Sequence, residues 1–153
     1  MPKVEMDVET SLPPEKVMEA LLDFSKRRPE IWPGIDRSQY EVYSVGEKEA
    51  DIREGSKFPG TTFWAKEHYD WSTPGTVTWT VLESNFSAPG SYVSATISPK
   101  EQGGTHIHLT WNRTPSSFMG RIAMAMIMLT KGKPISASFE KTLNKLEQQA
   151  RPA

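Results

Sequence analysis

The sequence has no cysteine, no excess of charge of either sign and no long apolar run, and each absence excludes a class of protein. Without cysteine there is no disulfide framework and no cysteine-ligated metal site. Eighteen basic residues against 19 acidic ones give a net charge of −1, which argues against nucleic-acid binding because that requires a basic face. The longest apolar run, Ile122 to Leu129, is far shorter than the roughly 20 residues that span a bilayer.

The N-terminal segment also lacks the apolar core of a secretory signal, because it is interrupted by Lys3, Glu5, Asp7 and Glu9. We therefore expect a cytoplasmic protein with no integral membrane segment. A chain of 153 residues predicts one domain, with a core large enough to need no covalent cross-link. The predicted domain covers residues 1–150, and residues 151–153 are a predicted tail.

Alternation of apolar and polar residues predicts seven β-strands. Val4, Met6 and Val8 alternate with acidic residues in the first strand, which is typical of a strand buried on one face. Between residues 40 and 113 the chain shows only strand and turn patterns. Because short turns join antiparallel neighbours, we expect an antiparallel sheet. The six further strands are predicted near residues 40–46, 49–54, 61–72, 76–84, 91–98 and 105–113.

Helical patterns lie on either side of these six strands. The stretch 13–15, Pro-Pro-Glu, is typical of a helix start. That helix is expected to end near Asp23, with at most one more short helix before Pro33. After Pro115 the pattern is helical to the end of the chain. The stretch 132–134, Gly-Lys-Pro, predicts a kink or a short break within this last helix.

This order of elements predicts an α+β fold of the helix-grip type. A seven-stranded antiparallel sheet has to curl to bury its apolar face, and the long C-terminal helix then covers the open side. One or two short helices follow the first strand. Two apolar stripes mark the C-terminal helix, and they consist of Phe118, Ile122, Met126 and Leu129, and of Phe139, Leu143 and Leu146.

The inner face of the curled sheet is predicted to be apolar and aromatic, since one register of four consecutive strands carries large apolar residues. Together with the first helical stripe, this face predicts a pocket for a hydrophobic ligand. The residues predicted to line the pocket are Tyr43, Ile52, Phe63, Ala65, Glu67, Tyr69, Trp71, Trp79, Val81, Val93, Ala95, Leu109, Trp111, Phe118, Ile122, Met126 and Leu129.

Glu67 is a carboxylate in this apolar register, between Ala65 and Tyr69. Burial without a partner raises the pKa of a carboxyl group, and Arg113 shares the inward register of its own strand. Three interpretations follow. Glu67 lies at a rim, a bulge or a structural ion pair; it orients a polar ligand group; or it acts as a general acid/base with Tyr69 and Arg113.

Two further clusters have several interpretations. His106 and His108 alternate on a polar, outward face, where we expect solvated side chains and no metal site. The segment 119–129 holds four of the seven methionines and is apolar around most of its circumference. It fits a packed core helix, the wall of an adaptable cavity, or a patch that contacts a membrane or a second chain.

Four segments carry a resemblance to a known family: the first strand and helix at 4–17, Ile31-Trp32-Pro33-Gly34, Arg53-Glu54-Gly55, and residues 139–147. Through them the whole chain resembles the START-like or Bet v 1-like (SRPBCC) superfamily, and within it the polyketide cyclase/dehydrase-like branch. The resemblance implies a helix-grip fold that binds a hydrophobic or amphipathic ligand between sheet and helix. It implies no shared catalytic set, and no cofactor is expected.

Three functions fit these patterns. The first is binding or transport of a hydrophobic small molecule such as a lipid, an isoprenoid or a polyketide-like compound. The second is a cyclase or dehydratase that uses Glu67 as acid/base. The third is an interaction or regulatory module of the same fold, which would need an exposed apolar patch and a filled interior. The sequence indicates no oligomeric state.

Overall fold

The computed structural model describes residues 3–150. In this range the chain forms seven strands, four α-helices and a short 3-10 helix at Arg37–Gln39. The strands are β1 (Lys3–Thr10), β2 (Glu41–Val45), β3 (Glu49–Phe58), β4 (Thr61–Asp70), β5 (Thr76–Ser84), β6 (Tyr92–Pro99) and β7 (Thr105–Asn112). The helices are α1 (Pro14–Leu21), α2 (Arg28–Ile31), α3 (Phe118–Leu129) and α4 (Lys133–Ala150).

All seven strands form one curved antiparallel sheet in the order β1-β7-β6-β5-β4-β3-β2. The first strand pairs with the last, so that Met6 lies opposite Leu109 and Val8 opposite Ile107. Side chains of successive residues point to opposite faces of a strand. The predicted alternation of β1 is therefore confirmed, with Met6 and Val8 in one buried face.

The predicted break in the C-terminal helix is also confirmed. The helix α3 ends at Leu129, and α4 begins at Lys133. Between them Gly132 has φ +77°, a left-handed conformation that favours glycine. A Cβ atom at this position would overlap Sδ of Met6, so the turn packs directly on β1.

One apolar core joins the sheet to the helices on either side of the six central strands. It contains residues from β1, the central strands, α1, α3 and α4, and the α4 side chain of Leu143 is almost fully buried. Phe139 and Leu146, on either side of Leu143, are partly buried against the same core. The second predicted stripe of the C-terminal helix is thus confirmed as its inward face.

The predicted element bounds differ from the structure mainly at β3, which extends to Phe58 instead of residue 54 because it pairs with β4 along its whole length. The predicted tail at 151–153 lies outside the described residues. No helix among residues 3–150 has the length and apolar character needed to cross a bilayer.

Candidate functional site

Two adjoining cavities lie between the sheet and the C-terminal helices. The first, of about 330 Å³, lies beneath α3, and the second, of about 320 Å³, lies beneath the start of α4. Both volumes are in the range of small-molecule sites. Ile35, Glu54 and Ile135 contribute to both walls, so these three residues mark the boundary between the cavities.

A buried ion pair lies in the wall of the first cavity. Glu67 on β4 and Arg113, which follows β7, are only 4% and 9% exposed, and Nη2 of Arg113 donates to Oε2 of Glu67 over 3.1 Å. The guanidinium also stacks over the ring of Phe86 at 5.4 Å. Its Nη1 atom is buried and has no hydrogen-bond partner among the described residues. An unpaired buried donor is unfavourable, so this arrangement suits an acceptor brought by a ligand.

Burial raises the pKa of Glu67 to about 7, although the nearby Arg113 guanidinium offsets part of the rise and the Glu54 carboxylate adds to it. Desolvation disfavours the charged form of a carboxyl group. Glu67 therefore changes its protonation state near neutral pH. A group with such a pKa is suited both to accept and to donate a proton.

A second polar network lies in the wall of the second cavity. Nε of Arg28 donates to Glu54 over 3.0 Å, and Nη2 of Arg28 donates to the hydroxyl of Tyr69 over 3.1 Å. The Tyr69 hydroxyl in turn donates to Glu54. Burial, followed by the Glu54 charge, raises the pKa of Tyr69 well above its usual value. Tyr69 is therefore a neutral hydrogen-bonding group and not a base.

The strand registers explain these positions. Glu67 and Tyr69 occupy the inward register of β4 that was predicted, and Glu54 occupies the inward register of β3 with Ile52, which lies opposite Glu67. A register shift separates Lys66 from Glu67 along the β4–β5 pair. The first interpretation of Glu67 expected a rim, a bulge or a structural ion pair. The structure places Glu67 beside a register shift and in an ion pair, and this pair also lines a cavity.

Six of the predicted lining residues line the two cavities. Phe63, Ala65, Glu67 and Trp111 line the first cavity, together with Arg113, and Tyr69 and Trp79 line the second. Core residues that face inward but line neither cavity are Ile52, Val81, Val93, Ala95 and Leu109. Trp71 is half-buried against Phe24, with ring centroids 5.8 Å apart, and also lies outside both cavities.

Tyr43 does not point into the interior. It lies at a register shift in the β2–β3 pair, between Val42 and Ser44, and every residue of this edge strand is exposed. Its ring contacts Nζ of Lys66 at 4.6 Å. A bulge adds one residue to a strand and locally changes which face a side chain takes, which alternation alone does not reveal.

The first predicted stripe of the C-terminal helix points the other way from the prediction: Phe118, Ile122, Met126 and Leu129 are all exposed. The cavity wall is the opposite face of α3, formed by Gly120, Ala123, Met124 and Ile127. Glycine decides the orientation, because a Cβ at Gly120 would overlap the carbonyl oxygen of Phe86. The face with the smallest side chains therefore lies against the protein.

Sequence reasoning missed several lining residues. Glu54 shares a register with Ile52, and that alternation was a usable signal for it. Arg28 and Phe86 lie in a short helix and a connection, where no periodicity shows which way a side chain points. The other lining residues that the predicted set did not contain are Leu21, Trp32, Gly34, Ile35, Gly55, Ser56, Gly120, Ala123, Met124, Ile127, Pro134, Ile135, Ser138 and Phe139.

The two histidines of β7 lie on the outer face, as predicted. Oδ1 of Asp7 on β1 is 2.9 Å from Nε2 of His106 and 2.9 Å from Nδ1 of His108. The hydrogen bond to Asp7, reinforced by Glu5, raises the pKa of His108, although its limited burial acts the other way. Within residues 3–150, no group of three or more His, Asp or Glu side chains has a geometry that would hold a metal ion.

The sequence matches the family model described as polyketide cyclase/dehydrase and lipid transport over residues 1–151. No curated protein matches it. Among solved structures, the Zhui aromatase/cyclase from Streptomyces sp. R1128 is 16% identical with a TM-score of 0.78, covering 98% of this chain and 96% of that one. A START superfamily protein from Mycobacterium smegmatis is 12% identical with a TM-score of 0.73, covering 94% and 98%.

Norcoclaurine synthase from Thalictrum flavum, solved in complex with dopamine and hydroxybenzaldehyde, is 12% identical with a TM-score of 0.70, covering 99% of this chain and 89% of that one. Identities this low show a shared fold alone. The fold is the predicted helix grip, and the family match spans almost the whole sequence. The chain therefore belongs to the polyketide cyclase/dehydrase and lipid transport family, and it shares the fold of its structural neighbours in the START/Bet v 1 (SRPBCC) superfamily.

Proposed function

We infer that the chain binds an aromatic or polycyclic small molecule that carries a hydrogen-bond acceptor, such as a carbonyl or carboxylate group. The single observation that carries this inference is the buried guanidinium of Arg113, which lines the first cavity and leaves Nη1 without a partner among residues 3–150. A ligand acceptor would complete its hydrogen bonding.

The remaining walls of the first cavity suit flat apolar rings. Phe63, Phe86 and Trp111 supply aromatic surface, and Met124 and Ile127 supply flexible apolar surface from α3. Binding sites for small molecules combine mostly apolar walls with a few polar groups that fix orientation. The sequence-based placement of this activity in the cytoplasm stays a prediction.

A matched pair of probes tests the role of Arg113. 2-Acetonaphthone and 2-ethylnaphthalene have the same ring system and nearly the same shape, but only the ketone has an acceptor. We expect the ketone to bind about tenfold more tightly, because a hydrogen bond to a charged group contributes about 1.5 kcal/mol or more. The quenching of tryptophan fluorescence reports binding, since Trp111 lines the cavity. Equal affinities would contradict the inference.

Two variants locate the probe. Ala123→Phe places a ring in the first cavity and should abolish binding, whereas Ala125→Phe changes an exposed position of the same helix and should not. Arg113→Met should remove the preference for the ketone; this is measured at pH 6, where Glu67 is mostly protonated and does not become a buried unpaired charge. Retained binding in Ala123→Phe would place the probe elsewhere.

Catalysis is a second candidate, and the pKa of about 7 of Glu67 favours it. Glu67 would take a proton from the carbon next to a ligand carbonyl while Arg113 stabilises the enolate oxygen, which is the proton transfer that aldol-type cyclisations require. The structural relatives include an aromatase/cyclase and norcoclaurine synthase, with its two aromatic ligands.

Deuterium exchange at the methyl group of bound 2-acetonaphthone separates the two candidates. An enzyme of this type should accelerate exchange in D₂O, and Glu67→Gln should remove the acceleration while it retains binding. Binding without accelerated exchange favours a carrier. Accelerated exchange that Glu67→Gln leaves intact would exclude Glu67 as the base.

A further inference from the structure

The outer face of α3 is an exposed apolar stripe. Phe118, Ile122, Met126 and Leu129 are 74%, 38%, 50% and 85% exposed. Their spacing of four, four and three residues places them along one side of the helix. Single exposed apolar residues are common on protein surfaces, but a continuous row of large ones marks an interaction site.

The inner face of the same helix is also apolar, because it forms the wall of the first cavity with Ala123, Met124 and Ile127. A helix that is apolar around its circumference is expected to have apolar surroundings on both sides. In the described residues only the inner side is covered, by the cavity and the sheet. The fold of the chain therefore accounts for one face of α3 and not for the other.

The charges around the stripe indicate what covers it. No acidic residue occurs between Glu101 and Glu140, while Arg121, Lys131 and Lys133 fall within α3 or directly after it. All three basic residues are exposed. In a symmetric dimer through this face, the same positive charges would approach one another, which is unfavourable. An anionic surface has the complementary charge.

We propose that α3 docks on the surface of an anionic lipid bilayer, with the apolar stripe inserted among the acyl chains and the three basic residues at the headgroups. Interfacial helices combine apolar and basic residues in this way. The cavity lies directly behind the docked helix. Docking would thus bring the helix that walls the cavity to the membrane, where the hydrophobic ligand inferred under the proposed function would be exchanged without crossing water.

Co-sedimentation with vesicles of phosphatidylcholine, with and without 30% phosphatidylserine, tests the proposal without any ligand. We expect at least about tenfold stronger partitioning onto the anionic vesicles, since each basic residue near such a surface contributes about fivefold. Raising the salt concentration should weaken binding, because it screens these charges.

Two sets of substitutions identify the surface. Phe118→Ser with Leu129→Ser should reduce partitioning by about tenfold or more, and it should leave thermal unfolding unchanged because both side chains are exposed. Leu82→Ser removes an apolar side chain on β5 that is 44% exposed, and this variant should bind vesicles like the unmodified chain. An equal loss in Leu82→Ser would overturn the assignment to α3.

Sedimentation equilibrium tests the competing possibility that a second copy of the chain covers the stripe. A concentration-dependent dimer that the Phe118→Ser and Leu129→Ser changes abolish, with no vesicle binding by the unmodified chain, would show that a second copy covers the stripe and would overturn the proposal. Equal binding to neutral and anionic vesicles would also contradict it.

Discussion

At the scale of single residues, the buried ion pair of Glu67 and Arg113 is costly to desolvate, but it places two charged groups in the wall of a cavity. Desolvation of two buried charges consumes much of their mutual attraction, and removal of one partner typically costs about 3–5 kcal/mol. The raised pKa of Glu67 shows that burial outweighs the pairing. A purely apolar pair at this place would satisfy the core without this penalty, so the presence of the ion pair supports the proposed ligand recognition.

The pH dependence of stability follows from the same group. The pKa of Glu67 rises from 4.5 to about 7 on folding, because the folded protein favours the protonated carboxyl group. The stability that this group contributes is therefore fully present below pH 4.5 and is lost as the pH rises through 7. We predict that Glu67→Gln changes stability little at pH 5. By pH 8 the free energy of unfolding should shift in favour of the variant by on the order of 2 kcal/mol. Urea unfolding across this range measures the shift.

Glu83→Gln is the matched control, because Glu83 is an exposed carboxyl on β5. Its difference from the unmodified chain should stay constant between pH 5 and pH 8. A flat difference for Glu67→Gln as well would mean that the Glu67 carboxyl ionises with an ordinary pKa in the folded protein.

On the outer face, Asp7 connects His106 and His108. We predict that Asp7→Asn lowers the pKa of His108 toward the ordinary histidine range, since the hydrogen bond to Asp7 is the main cause of its rise. An NMR titration of the imidazole signals measures this. The effect on stability should be below about 1 kcal/mol, because exposed pairs are screened by water. An unchanged pKa of His108 would contradict the assigned pairing.

At the scale of elements, the turn between α3 and α4 sets the position of the cavity wall. Gly132 has φ +77° and lies against Met6 on β1. We predict that Gly132→Ala destabilises the protein by about 2 kcal/mol or more, from backbone strain and from the displacement of Met6. Thermal or urea unfolding gives the value.

Gly60 provides the comparison for this prediction. It has a similar φ of +83°, but nothing lies within 4 Å of a Cβ placed there. Gly60→Ala therefore measures the backbone strain alone and should cost about 1 kcal/mol. If the two variants lost equal stability, the contact between the turn and β1 would contribute nothing.

The orientation of α3 illustrates a limit of periodicity. The predicted stripe is real and evenly spaced, but both faces of this helix are apolar, so the spacing does not reveal which one faces the sheet. The close approach of Gly120 to the backbone of Phe86 decides the matter. Such an approach depends on a connection distant in sequence, and no local pattern contains it.

At the scale of the whole molecule, one apolar core connects β1 with the central strands and α4. We predict that residues 3–150 unfold in a single cooperative transition, as small domains with one core usually do. Tryptophan fluorescence and far-ultraviolet circular dichroism should give the same midpoint. The fluorescence is a fair probe of the core, because Trp79 and Trp111 belong to it. Two separate midpoints would contradict the prediction of one domain.

Sequence alone determined the element order, the antiparallel sheet, the inward register of β4 with Glu67, and the helix break near Gly132, because these follow from alternation and from backbone preferences of neighbouring residues. Only the tertiary structure decided that Arg28, Glu54 and Tyr69 form one network and that the interior divides into two cavities. The physical reason is that contacts between distant segments depend on side-chain volume and close backbone approach. Periodicity along the chain records which residues share a face, but not what that face meets.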